Sequence, residues 1–150
     1  MEDYSGYGRG AHTVFTLHYH VVWSTKYRYQ VLKGEIGLRT RELIRQTCLA
    51  YEVKILKGHV GKDHVHVWVS VPPTLAVSKL VQALKGRSSR KLQMEFPELG
   101  KRYWGRHMWG RGYFCATSGN VTDEVIKAYI EGQDKHRRDV DFKVEGEVCD

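Results

Sequence analysis

Four residues of this sequence could do chemistry together, because their types and spacing suit a metal centre. His64 and His66 alternate with valines, and residues two apart on a strand point to the same side of a sheet. Neutral imidazole is the commonest protein ligand of metal ions, so the two histidines could share one ion. Tyr129 and Gln133 are four residues apart, which makes them neighbours on one face of a helix. There the Gln133 amide oxygen could complete the site, with Tyr129 beside the ion.

Each half of this set also has an ordinary structural explanation. His18 and His20 have the same spacing as the first pair, which shows that two histidines can share a half-exposed strand by chance. Tyr129 lies between Ile126 and Ile130, where a tyrosine is typical of amphipathic packing. Taken separately, the two patterns leave the choice between catalysis and packing open.

The elements that must position these residues follow from the hydrophobic periodicity. The predicted strands are Phe15–Trp23, Tyr51–Val60, His64–Val71 and Tyr113–Thr117, with a hairpin turn at 61–63. The predicted helices are Leu38–Cys48, a second that Thr74 can cap and that runs from Val77 to before Pro97, and a third from Thr122 to about His136. The order βαββαβ plus one helix predicts an α+β ferredoxin-like plait with an antiparallel sheet. Val65, Val67 and Val69 should then face the first two helices, and the histidines the third.

Length and composition indicate one globular domain and favour a polyanionic partner. The 150 residues include 24 Lys and Arg against 17 Asp and Glu, a net charge of +7, which suits phosphate binding. We expect a mobile N-terminal arm at 1–11, one domain at 12–138 and an acidic tail at 139–150. The N-terminus has no signal-peptide pattern, and no apolar run is long enough to cross a membrane. We therefore expect a cytoplasmic protein without a membrane partner.

The cysteines exclude two further classes of site. Cys48, Cys115 and Cys149 are odd in number and far apart, without a C-x-x-C pair. This pattern argues against a disulfide framework and against a cysteine zinc site, and it suits a reducing compartment.

Together these features resemble the HUH single-tyrosine transposases, the small enzymes of minimal bacterial and archaeal insertion sequences. The resemblance is carried by His64-Val65-His66 after Asp63, by the βαββαβ order and by Tyr-x-x-x-Gln on a later helix. It extends over the segments Trp23–Arg28, Ala83–Gly86 and Tyr129–Gln133. The resemblance covers nearly the whole chain, so it is far more specific than the histidine pair alone.

The resemblance implies a role for each residue. Tyr129 would be the nucleophile, forming a 5′-phosphotyrosine and leaving a free 3′-hydroxyl, and His64, His66 and Gln133 would hold the metal. Mg²⁺ prefers oxygen ligands and Mn²⁺ accepts imidazole more readily, so either could serve. The substrate would be single-stranded DNA with hairpins near the element ends. The enzymes of this family act as homodimers in which the tyrosine of one subunit can work at the histidines of the other.

Basic residues beside aromatic ones predict the DNA-binding surface. The loop 101–111 mixes both types, and bases can stack on aromatic rings while Arg and Lys hold phosphates. A solvated charged face, with Trp104 and Trp109 as anchors to the core, explains the same residues equally well. The candidates are Lys26, Arg28, Lys85, Arg87, Arg90, Lys91, Arg106 and Arg111.

Two other functions fit parts of the pattern. A replication-initiator or relaxase nickase shares the HUH chemistry but usually carries extra domains, for which this chain has no room. A non-catalytic RNA-binding plait would need strand aromatics in an RNP-like pattern with a Gly-Phe core, which the sequence lacks.

Overall fold

A four-stranded antiparallel sheet with the strand order β4-β5-β3-β6 forms the centre of the fold. The computed structural model describes residues 7–10, 13–117 and 121–132. Its strands are β1 (Gly8–Arg9), β2 (Val14–Phe15), β3 (His18–Ser24), β4 (Lys54–Val60), β5 (His64–Ser70) and β6 (Phe114–Ala116). Its α-helices are α1 (Gly34–Ala50), α2 (Val77–Glu95), α3 (Pro97–Arg102) and α4 (Asp123–Glu131). The predicted α+β plait with one additional C-terminal helix is confirmed.

The register of the sheet decides which histidines meet. In the antiparallel pair of β3 and β5, His20 lies opposite Trp68 and Val22 lies opposite His66. The β4–β5 hairpin closes where the Gly61 N–H donates to the His64 carbonyl at 2.8 Å. Residues that share a face of neighbouring strands therefore include His20 and His66, which are 46 positions apart in the chain.

The two faces of the sheet have different coverings, as the alternation of the sequence predicts. Val65, Val67 and Val69 are almost fully buried in the core formed with α1 and α2. On the opposite face, Ile126 and Ile130 of α4 pack against Val22 in a smaller cluster. Burial of each aliphatic side chain contributes about 1.5–3 kcal/mol, so α4 is held over the histidine face mainly by these two isoleucines.

Several boundaries differ from the predictions. Helix α1 begins at Gly34 rather than Leu38, and β4 begins at Lys54 rather than Tyr51. Thr74 does not cap α2, because the helix begins at Val77 with Ala76 as its N-cap residue. Pro97 was expected only to end α2, but proline also fits the first turn of a helix, and Pro97 begins α3 there. The predicted first strand is divided into β2 and β3. The start of the third helix agrees, since the Thr122 side chain accepts a bond from the Val125 N–H at 3.3 Å.

The predicted termini lie mostly outside the described residues. Within the N-terminal arm, Gly8 and Arg9 pair with Phe15 and Val14. The acidic tail at 139–150 is not among the described residues, so the division into arm, domain and tail stays a prediction. In the described ranges, no helix is long and apolar enough to span a membrane.

Candidate functional site

A cavity of about 830 Å³ lies between the histidine face of the sheet and α4. The sheet side and its adjoining turns contribute polar residues that include His20, Arg28, His59, Asp63, His64 and His66. Helix α4 contributes Asp123, Ile126, Lys127, Ile130 and Glu131. The alternation of β5 explains this arrangement, because its valines are in the core and its histidines face the opposite way.

His64 is held through one of its two ring nitrogens. Its Nδ1 lies 2.9 Å from Oδ1 of Asp63, and Oδ2 of the same carboxylate lies 3.4 Å from Nε of Arg28. A ligating histidine usually donates its second N–H to a partner of this kind. Nε2 of His64 is therefore the nitrogen suited to bind a metal.

His66 contacts a histidine that the sequence did not single out as functional. Nε2 of His66 lies 3.1 Å from Nδ1 of His20, and the His20 ring stacks on Trp68 with centroids 5.2 Å apart. Burial lowers the pKa of His66 to about 4, with smaller contributions from His20, His64 and other neighbours. Burial also lowers the pKa of His20. Both rings are thus neutral at physiological pH, which is the form that can bind a metal.

The donor set fits a divalent ion only in part. The neutral His66 ring and the carboxylate-bound His64 ring suit a metal that accepts imidazole. In the part of the chain that the structure describes, no three His, Cys, Asp or Glu side chains converge as a metal site. Gln133, the predicted third ligand, lies outside the described residues.

Tyr129 lies on the helix above the cavity and packs toward β6 rather than toward β5. Its ring is half-buried, with the ring centroid 5.8 Å from that of Phe114 on β6. It packs against the cluster of Val22, Ile126 and Ile130. The two isoleucines also line the cavity, but Tyr129 is not among the lining residues. The structure therefore brings His64 and His66 together and does not place Tyr129 of the same chain among the residues that line their cavity.

The predicted basic residues divide between two surfaces. A groove of about 1280 Å³ lies between α2 and the loop 103–112, and Arg28 belongs instead to the histidine cavity. Arg87 and Lys91 of α2 line neither of these two spaces. The predicted residues that line the groove are Lys26, Lys85, Arg90, Arg106 and Arg111.

Two groove residues have structural contacts that explain their positions. Nζ of Lys85 donates to the carbonyls of Gly110 at 2.8 Å and Gly112 at 2.6 Å, and burial lowers its pKa to about 8. The Trp109 indole N–H donates to Ser88 Oγ at 2.9 Å, so this tryptophan is an anchor. Trp104 is 83% exposed and has no such role.

Comparison with known proteins identifies the family. A family model described as "Transposase IS200 like" matches residues 13–133. The chain belongs to the IS200-like transposase family. The resemblance to HUH single-tyrosine transposases is thereby confirmed, and the protein is a DNA-processing enzyme of that family. This assignment favours the transposase over the nickase and the RNA-binding plait.

Relatives of this transposase cover most of its length. The ISDra2 transposase TnpA of Deinococcus radiodurans is 36% identical over 126 residues, which are 84% of this chain and 89% of the relative. The IS200 transposase of Salmonella typhimurium is 37% identical over 123 residues, 82% of this chain and 80% of the relative.

Solved structures agree with the fold of the transposase. The crystal structure of a candidate transposase from Deinococcus radiodurans R1 matches with a TM-score of 0.79 and 32% identity, covering 86% of this chain and 99% of that one. A REP-associated tyrosine transposase bound to a REP hairpin matches with a TM-score of 0.52 and 12% identity, covering 84% of this chain and 68% of that one. The second likeness concerns the fold alone.

Proposed function

We propose that this transposase cleaves and rejoins single-stranded DNA at insertion-sequence ends through a covalent 5′-phosphotyrosine on Tyr129. The observation that carries the proposal is the shared cavity of His64 and His66 under the helix that bears Tyr129. Membership of the IS200-like family supplies the reaction class.

The proposed metal site consists of His64, His66 and Gln133. A bound Mg²⁺ or Mn²⁺ would polarise the scissile phosphate and stabilise the negative charge that develops on its oxygens. All three side chains are neutral ligands, so they leave the charge of the ion available to the substrate.

Tyr129 would perform the covalent step. Its hydroxyl oxygen attacks the phosphorus and loses its proton, the bond from phosphorus to the 3′ oxygen breaks, and the leaving strand takes up a proton as a 3′-hydroxyl. In the reverse step a 3′-hydroxyl attacks the phosphotyrosine and Tyr129 leaves. The energy of the broken bond stays in the ester, so rejoining requires no nucleotide.

We expect the active site to be shared between two copies of the chain. Within one copy Tyr129 packs against Phe114 and lies outside the lining of the histidine cavity. A homodimer in which α4 of one subunit serves the histidines of the other would bring nucleophile and metal together. The alternative is a rotation of α4 within one subunit, and the two arrangements give different results in mixed dimers.

The basic groove is the proposed contact for the DNA. Five predicted DNA-binding residues line it, and the exposed Trp104 adjoins the lining residues Gly105 and Arg106 in sequence, where it could stack on a base. The hairpin bound to the REP-associated transposase supports hairpin DNA as a substrate class. Arg87 and Lys91 remain candidates for a contact next to the groove.

Covalent trapping tests the proposal. The purified protein is incubated with single-stranded hairpin DNA from the element ends and Mn²⁺, and the products are separated on a denaturing gel. We expect a protein–DNA band that is absent in Tyr129→Phe, absent in His64→Ala and absent when EDTA is added. If the band is missing in the wild type or persists in Tyr129→Phe, the proposed mechanism is wrong.

A further inference from the structure

Arg28, Asp63 and His64 form a continuous row of side-chain contacts at the edge of the histidine cavity. We propose that Asp63 and Arg28 are positioning residues, which fix His64 in the tautomer with hydrogen on Nδ1 and leave Nε2 free for the metal. This inference rests on the proposed function, in which His64 is a metal ligand. It assigns a role to Asp63, and it gives Arg28 a task other than DNA binding.

The carboxylate of Asp63 determines the tautomer of His64. An ionised carboxylate only accepts hydrogen bonds, and its Oδ1 lies 2.9 Å from Nδ1 of His64. The Nδ1 atom must therefore carry the hydrogen, and in a neutral ring the lone pair is then on Nε2. The contact between His20 and His66 leaves its tautomers open, because either ring can donate.

Arg28 occupies the second oxygen of the same carboxylate. Its Nε lies 3.4 Å from Asp63 Oδ2, and the two side chains are only 15% and 13% exposed. A guanidinium has donors and no acceptor, so it requires Oδ2 just as His64 Nδ1–H requires Oδ1. These two hydrogen bonds orient the plane of the Asp63 carboxylate, which in turn orients the imidazole of His64.

The backbone next to Arg28 and Asp63 fixes the position of these two residues. The buried Thr25 donates its N–H to the Asp63 carbonyl at 2.8 Å, and its hydroxyl is 2.7 Å from the Tyr29 carbonyl. Between these anchors Tyr27 and Arg28 have φ values of 63° and 54°. Left-handed backbone at two successive residues with side chains is unfavourable and is maintained by its surroundings, often at functional sites. The turn places Arg28 against Asp63 at this energetic cost.

Asp63→Asn tests the role of the carboxylate without a large change in shape. An amide has one oxygen for two donors. We expect Arg28 to keep that oxygen, so that the amide NH₂ faces Nδ1 of His64 and shifts the ring to the Nε2–H tautomer. Long-range ¹H–¹⁵N NMR of the metal-free protein distinguishes the two tautomers. Electron paramagnetic resonance of free Mn²⁺ measures binding, and we expect Kd to rise about 10–100-fold, as for other lost partners of metal-ligating histidines.

Two further variants complete the experiment. Arg28→Gln should also weaken Mn²⁺ binding. Lys57→Gln is the control for charge, because it removes the same charge from the lining of the cavity. This control should leave the His64 tautomer unchanged. The wild-type spectrum alone is decisive if a variant does not fold. His64 found with hydrogen on Nε2 in the wild type overturns the inference.

The outcomes separate this inference from the proposed function. If the wild type binds Mn²⁺ but Asp63→Asn changes neither tautomer nor Kd, the positioning role is wrong and the metal site stands. If the wild type binds no Mn²⁺ although His64 carries hydrogen on Nδ1, the metal site is wrong and the positioning role fails with it. A shifted tautomer together with a raised Kd supports both.

Discussion

Nε2 of His66 on β5 lies 3.1 Å from Nδ1 of His20 on β3, beneath the helix that carries Tyr129. The contact joins a predicted metal ligand to a histidine of the other H-x-H pair. Because His20 is 8% exposed and stacks on Trp68, His66 contacts a ring that is itself buried and fixed in position.

The lowered pKa of His66 predicts a pH dependence of stability. Its folded value is about 4, against an ordinary value of 6.5 that applies to the unfolded chain. Between these values the unfolded chain binds more protons, so stability falls as the pH is lowered from 6.5 to about 4. Thermal melts of the metal-free protein should show this loss, and His66→Asn should show a smaller one. Equal slopes in the two proteins would contradict the burial of the ring.

Lys85→Met should destabilise the loop over the basic groove. The substitution removes two hydrogen bonds from Nζ to the carbonyls of Gly110 and Gly112. A hydrogen bond to a charged group contributes at most about 3 kcal/mol. We expect the free energy of unfolding in urea to fall by about 1–3 kcal/mol. Lys79→Met, the same substitution at an exposed site on the same helix, is the matched control and should change it by less than about 0.5 kcal/mol. Equal losses in both variants would refute the role of Lys85.

Mixed dimers should reveal whether the active site is shared. Neither Tyr129→Phe nor His64→Ala should form a covalent adduct alone. A mixture can restore about a quarter of the wild-type sites if the dimer is symmetric, because half of the random dimers are mixed and each holds one intact combination. With subunits of different size, the DNA should be attached to the His64→Ala chain. No recovery after verified subunit exchange would place both groups in one subunit.

Residues of the basic groove should control the salt dependence of DNA binding. Arg106→Gln and Arg111→Gln each remove one exposed charge from the groove. If each contacts a phosphate, the slope of log K against log salt should fall by about 1 per substitution. Fluorescence anisotropy with a labelled hairpin measures this slope. Arg41→Gln, at an exposed site on α1, removes an equal charge elsewhere, and a matching effect there would exclude a specific groove contact.

Most of the fold could be predicted from local patterns in the sequence. The alternation in Val65-His66-Val67 determined which face of β5 is buried, and this prediction is confirmed because the valines lie in the core with α1 and α2. The helical spacing of α2 also identified its buried face, including Leu80 and Leu84. Such patterns depend on neighbours in the chain, which a sequence displays directly.

Contacts between distant segments could not be predicted in this way. His18 and His20 have the same spacing as the HUH pair, which the sequence alone explains by chance. The register of β3 and β5 nevertheless brings His20 to His66. The strand sequences do not specify that register. The sequence likewise does not indicate that the amine of Lys85, a predicted DNA contact, donates to the carbonyls of a loop 25 and 27 residues away.

Mass spectrometry of the covalent adduct tests the central claim most directly. The wild-type protein is trapped on a hairpin substrate, the adduct is digested with protease and nuclease, and the peptide that carries the residual nucleotide is sequenced. We predict that the nucleotide is attached through its 5′ phosphate to the Tyr129 oxygen, and that the released strand ends in a 3′-hydroxyl. A nucleotide on any other residue, or attachment through a 3′ phosphate, would contradict the proposed mechanism.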